Sequence, residues 1–176
     1  GANSAIRQAT KKLIQTDFTT LTIKNLSEHL GHQDMRIRKK AQFELVKRKG
    51  EGFEVLKSAA RSANPQLKRI HGLWGMAQMA RLQNPNYITA LVPYVKDKDD
   101  EIAAQAAKML GDVKYKGKDA GVAVTNLLLT HQSLRVQLLA TEALGRMGYT
   151  PAVRAILAML EKNNDSDTCQ HTMYYR

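Results

Sequence analysis

Arg135-Val-Gln-Leu-Leu-Ala-Thr-Glu-Ala-Leu-Gly-Arg-Met147 places Val136, Leu139, Ala140, Ala143, Leu144 and Met147 at i, i+3, i+4, i+7, i+8 and i+11. That spacing lays all six on one stripe of an α-helix. Inside the stripe a small residue is followed four positions later by a leucine, Ala140/Leu144. The same pairing recurs upstream as Ala106/Leu110, Gly72/Met76 and Ala41/Leu45, at intervals of 34, 34 and 31 residues. Three copies carry a β-branched residue four positions earlier, Ile37, Ile102 and Val136, and the second has Lys68 there. The small residue lets two helices approach closely while its neighbours fill the groove beside it. A fixed period of about 30–50 residues with this content predicts stacked helical hairpins, a solenoid.

Working outward, Ser4 can cap a first helix running to about Gln15. Outer helices are expected near 23–31, 52–63, 85–96, 119–130 and 151–163, and inner helices near 34–49, 65–81, 99–113 and 133–147. Pro65 and Pro151 suit first turns, with Asn64 and Thr150 before them as caps. Asp34 and the Asp99-Asp100-Glu101 run suit helix starts, and Gly50, Gly117 and Gly148 suit ends. Pro93 should bend or break its outer helix. The expectation is therefore an all-α right-handed superhelix of about four and a half hairpins. Residues 1–22 form an N-terminal helix and linker, and residues 23–176 the repeat domain. The last outer helix has no inner partner before Arg176, so the native polypeptide is expected to continue and the last repeat to be truncated.

Hydrophobic content of 43% suffices for a packed interior. The formal charge of +11 is unevenly placed. Residues 1–88 carry 16 Lys/Arg against 6 Asp/Glu, and residues 89–176 carry 11 against 10. A basic half beside a nearly neutral half points to an acidic partner for the N-terminal repeats. No apolar run approaches the roughly 18–20 residues that span a bilayer, so membrane insertion by this segment is not expected. The single cysteine, Cys169, excludes an internal disulfide and multi-cysteine metal sites.

The residues that could do chemistry are sparse. His29 and His32 stand three apart, a spacing open to metal ligation, but no third ligand follows with matching period. Cys169 and His171 lack a second pair. The chain has no Gly-rich phosphate loop, nucleophile elbow or Glu-x-x-His arrangement. No catalytic set, metal or cofactor is expected within the segment.

Positions transferred by the period form four ladders beside the core stripe: Arg36/Leu67/Glu101/Arg135, Lys40/His71/Gln105/Leu139, Phe43/Trp74/Lys108/Glu142 and Lys47/Gln78/Asp112/Arg146. At 100° per residue the Phe43/Trp74 ladder lies about 120–130° from the stripe's centre. The aromatic pair with Arg36, Lys39, Lys40, Lys47 and His71, bordered by Leu67 and Gln78, has the composition of an interface anchor. The shorter second period leaves a rotated repeat with Trp74 in the core equally open.

Asp34-Met-Arg-Ile-Arg38, Ala106-Ala-Lys-Met-Leu-Gly111 and Ala143-Leu-Gly-Arg-Met-Gly148 resemble HEAT repeats from about residue 23 onward. Asp34-Met-Arg-Ile-Arg-Lys-Lys-Ala-Gln-Phe-Glu-Leu45, Arg69-Ile-His-Gly-Leu-Trp-Gly-Met-Ala-Gln-Met79 and Ala104-Gln-Ala-Ala-Lys-Met-Leu-Gly-Asp112 are similar to one group of HEAT segments. These occur in large bacterial "membrane-bound dehydrogenase" proteins, between a glucose/sorbosone-dehydrogenase-like β-propeller and a cytochrome c domain. The resemblance implies an extracytoplasmic multidomain parent, an oxidoreductase in character, with this segment as connector or as spacer for electron transfer. The expected function is a non-catalytic scaffold for protein–protein or interdomain contacts with an acidic surface. The alternative is nucleic-acid binding by the basic N-terminal repeats.

Overall fold

Apolar periodicity, capping and close helix contact combine as the spacing requires. The computed structural model describes residues 4–162. These fall into two compact units divided between Gln83 and Asn84. The charge asymmetry falls on the same boundary, since residues 84–88 carry no charge.

The first unit contains α1 (Ala5–Gln15), a 3-10 turn (Phe18–Thr20), α2 (Ile23–His29), α3 (Met35–Lys47), α4 (Lys49–Arg61) and α5 (Gln66–Leu82). Hairpins α2–α3 and α4–α5 stack through α3 and α5. The second unit runs through a 3-10 segment (Pro85–Lys96), α6 (Asp100–Asp112), α7 (Lys118–Thr130), α8 (Leu134–Met147), a 3-10 turn (Thr150–Ala152) and α9 (Val153–Lys162). Here α6 and α8 share the largest contact, with the 85–96 segment against α6 and α7 against α8. No strand occurs among the described residues. The expected truncation of the last repeat concerns residues beyond Lys162, which with Cys169 and His171 lie outside them.

The small residues sit at the tightest places. Ala41, Ala106 and Ala140 are fully buried, and so are Leu45, Met76 and Leu110. At Gly72, a Cβ would stand 2.6 Å from the Leu56 carbonyl oxygen and 2.7 Å from the Ala60 nitrogen of α4. At Gly111, it would stand 2.6 Å from Ala143 Cα on α8. Distances this short mean helix backbones in direct contact, with no room for a methyl group.

Helix starts follow the acidic caps. Asp34 accepts the Arg36 N–H at 2.8 Å, and Asp99 accepts those of Glu101 and Ile102 at 3.0 and 3.3 Å. Four expectations need correction. Asn64 does not cap α5: Pro65 is the capping position, without a side-chain bond. Thr150 opens a 3-10 turn behind Tyr149 rather than capping α9. Gly50 does not end α3: Lys49 makes the left-handed turn (φ 54°), and Gly50 lies in α4's first turn. The glycine that this sharp corner requires is Gly52, where a Cβ would collide with the Leu45 carbonyl at 1.8 Å. Gly117 likewise begins α7, and the left-handed exit from α6 is Lys114 (φ 54°). Only Gly148 (φ 63°) ends its helix as expected. Pro93 keeps residues 85–96 in 3-10 turns, as its missing N–H and ring demand.

Substituting Gly72 by alanine drives a methyl group into backbone atoms that cannot rotate away. We expect a loss of roughly 2–3 kcal/mol by urea unfolding. Gly145→Ala, at a helical site with open space around it, should be neutral or slightly stabilising. Equal stability of the two variants would contradict the close approach.

Candidate functional site

The candidate residues cluster on α3 and α5 of the first unit. Arg36, Lys39, Lys40, Phe43 and Lys47 are exposed on α3. Leu67 is 41% exposed in the first turn of α5. Arg36 forks onto the Asp34 carboxylate, Nε to Oδ1 at 3.1 Å and Nη2 to Oδ2 at 2.7 Å. These bonds hold the Asp34 carboxyl well below its usual value, to about 2. Lys39 stands 6.0 Å over the Phe43 ring and pairs with no carboxylate among the described residues. Lys47 meets Glu44 only at 3.9 Å.

Lys40 has a different task. Its ammonium donates to the Ile14 and Thr16 carbonyls at the end of α1 and lies 5.1 Å from the buried Phe18 ring. It fastens α1 to α3, so its charge is spent on a helix C-terminus, where cations are favoured.

His71 and Gln78 do not belong to an open surface, and this corrects the expected grouping. His71 is 1% exposed. Its Nε2 accepts from Arg38 Nε at 3.1 Å, and its Nδ1 stands 2.7 Å from Gln42 Oε1. Since Arg38 can only donate, Nε2 must be the acceptor and Nδ1 the donor, which fixes one neutral tautomer. Gln42 Nε2 continues the chain to Gln78 Oε1 at 3.1 Å. Trp74 is half-buried, its ring edge-on to His71 at 5.1 Å between centroids, so it lies between the two alternatives. The Lys40/His71/Gln105/Leu139 ladder is mostly interior for a simple reason. It immediately precedes the small residue at the close contact, and three of its four members are buried.

Arg38 escaped the sequence reading as a structural residue. Besides His71 it donates through Nη1 to the His32 and Gln33 carbonyls, both at 2.7 Å. Its period partners act alike: Arg69 donates to Ala60 O at 3.1 Å and Gln137 to His131 O at 2.5 Å. The signal was available as a polar side chain four residues after the capping residue of α3, α5 and α8, at 38, 69 and 137, where α6 has Ala103.

His32 accepts the Asp34 N–H through Nδ1 at 2.9 Å, and His131 accepts the Ser133 N–H at 3.0 Å. These are equivalent turn positions, so the imidazoles organise corners. Among the described residues no group of three His, Cys, Asp or Glu is placed to hold a metal. No helix among them is long and apolar enough to cross a membrane.

Burial, then the nearby Arg38 and Lys39 charges, push His71 down from 6.5 to about 4. With its folded value depressed, the unfolded chain binds more protons between those limits. Stability from this group is complete above pH 6.5 and lost as pH falls towards 4. The shift corresponds to a change on the order of 3 kcal/mol. Chemical denaturation from pH 7 to 4.5 should show this slope, and His71→Gln should flatten it. An unchanged slope in the variant would refute the neutral, buried imidazole.

Residues 88–172 match the family model described as HEAT repeats. None of the curated proteins matches the chain in sequence. Among solved structures, the chain is similar to the crystal structure of an engineered protein, a Northeast Structural Genomics Consortium target. The likeness has a TM-score of 0.52 at 20% identity and covers 94% of this chain and 87% of that one. It bears on fold alone. With the hairpins of each unit and the matched residues, it makes this an all-α chain of the α-solenoid class that carries a HEAT-like segment.

Proposed function

We propose that this chain is a non-catalytic scaffold whose basic first unit docks an acidic protein surface, on an adjoining domain or a separate partner. HEAT repeats generally serve as protein-interaction scaffolds. One contrast between equivalent positions carries the reading. In the second unit the outer registers of the inner helices neutralise each other. Arg135 forks onto Glu101 at 2.9 Å through both nitrogens, and Arg146 pairs with Asp112, which also receives Lys108. In the first unit the same registers hold Arg36 with Leu67 and Lys47 with Gln78. No acid is supplied from α5: Arg36 turns to Asp34 beside it, Lys47 meets Glu44 only at 3.9 Å, and both cations remain exposed. The resemblance to the bacterial dehydrogenase-like proteins would make the acidic surface that of a neighbouring domain.

The test is binding of the chain to immobilised poly-glutamate and to a strongly acidic protein, across salt. Lys39→Glu/Lys47→Glu should weaken binding at least about tenfold at low ionic strength. Reversal of Lys98 and Lys118, exposed in the second unit, should change it less than about twofold. Equal losses from both pairs would refute a dedicated dock. Preferential binding of random duplex DNA at matched salt would replace this reading with the nucleic-acid one.

A further inference from the structure

Lys39, Phe43 and Lys47 follow one another at four-residue spacing on the exposed side of α3. A helix rises about 1.5 Å per residue, so the two lysine stems leave it about 12 Å apart with the ring midway. Phe43 is 44% exposed. Beside it a notch of about 290 Å³ opens between α3 and the turn at residues 16–19. Phe18 and Phe43 supply its apolar wall, and Lys40 and Lys47 its rim. The two carboxylates that line it are already engaged. Asp17 accepts from the N–H and hydroxyl of Thr19, and Glu44 accepts from Arg48 Nε at 2.9 Å.

The spacing selects a kind of ligand. In an extended peptide, residues i, i+2 and i+4 share one face and lie about 6.6 Å apart in succession. Carboxylates at i and i+4 are then about 13 Å apart, close to the separation of Lys39 and Lys47. An apolar side chain at i+2 falls over Phe43 and into the notch. A DNA duplex instead presents a phosphate on each strand about every 3.4 Å of helix axis, a run of charge that also falls opposite the ring.

Resting on the reading of this unit as an acidic dock, we infer that the α3 stripe binds an extended acidic peptide segment of the pattern acid–x–apolar–x–acid. The lysines take the two carboxylates and Phe43 with its notch takes the apolar side chain. Affinity is concentrated at the aromatic, as interface anchors are, and the lysines set register.

The experiment titrates the full chain, isotope-labelled for NMR, with peptides of about twelve residues at low salt, where weak charge contacts are least screened. One peptide contains Glu-Ser-Leu-Ser-Glu, and an isomer of the same composition contains Glu-Glu-Ser-Leu-Ser. The spaced peptide should bind about fivefold tighter or better, with the largest shifts at Lys39, Phe43 and Lys47. Phe43→Ala should weaken it about tenfold, and Lys39→Gln about two- to threefold, with the thermal midpoint unchanged. Equal affinity for both isomers overturns the register while leaving the acidic dock intact. Failure of poly-glutamate to bind as well overturns both. Displacement of the peptide by duplex DNA at lower concentration than by poly-glutamate assigns the stripe to nucleic acid and also overturns it.

Discussion

The structure depends on helix backbones meeting without side chains between them. At Gly72 against α4 and at Gly111 against Ala143 the separation admits no further carbon atom. Such contact is worth little by itself, because each atom pair contributes only about 0.1–0.2 kcal/mol. Its effect is to fix the separation and rotation of the helices, which determines where every flanking side chain falls. Ile102, Leu110 and Leu45 are fully buried because the helices beside them have closed to this distance. Each such side chain then contributes about 1.5–3 kcal/mol.

Close stacking creates a second problem at the corners. Each outer helix ends near an inner helix, leaving carbonyls without helical partners. Arg38, Arg69 and Gln137 solve it from one register, reaching back to the preceding corner. Arginine does more there than glutamine. Arg38 binds two carbonyls and still reaches His71, whereas Gln137 leaves its Oε1 without a partner among the described residues. A buried unpaired acceptor costs about 1–3 kcal/mol, so the second unit's corner is the less economical version. His71 exists in its buried state because Arg38 is there to be accepted. The polar joint between α3 and α5 therefore extends from the corner chemistry.

Helix starts were legible where two signals agreed, apolar period and an acidic cap. Asp34 and Asp99 announce their helices unambiguously. Exits were less legible because a left-handed residue need not be glycine. Lys114 and Gly148 are period partners with nearly the same φ, closed by the equivalent bonds Tyr115 N–H to Leu110 O and Tyr149 N–H to Leu144 O. Only one of the two advertises itself. On the candidate face, Arg36, Lys39, Phe43 and Lys47 could be read from helical geometry alone. Lys40 and His71 could not, since Lys40's role is set by α1, which the period does not place, and His71's by Arg38 and Gln42 across the packed α3. A single rotation angle cannot separate an exposed flank from one covered by the next helix.

The energetics of surface charge explain how one fold can carry two such different faces. An exposed ion pair contributes only about 0–1 kcal/mol to stability. Leaving Arg36/Leu67 and Lys47/Gln78 without the cross-helix pairs of the second unit thus costs the first unit almost nothing. Between α3 and α5 the hydrogen-bonded chain of Arg38, His71, Gln42 and Gln78 makes the joint, whatever the outer registers contain. Those registers need no cross-helix partner: Arg36 turns to Asp34 beside it, and Lys47, held only by Glu44 at 3.9 Å, remains exposed to a partner. Lys40 marks the limit of that freedom: once its ammonium serves the end of α1, it no longer counts towards binding. In the neighbouring stripe Lys39 pairs with no carboxylate among the described residues and Lys47 meets Glu44 only at 3.9 Å, so these exposed cations flanking Phe43, rather than net charge, are what a partner can use.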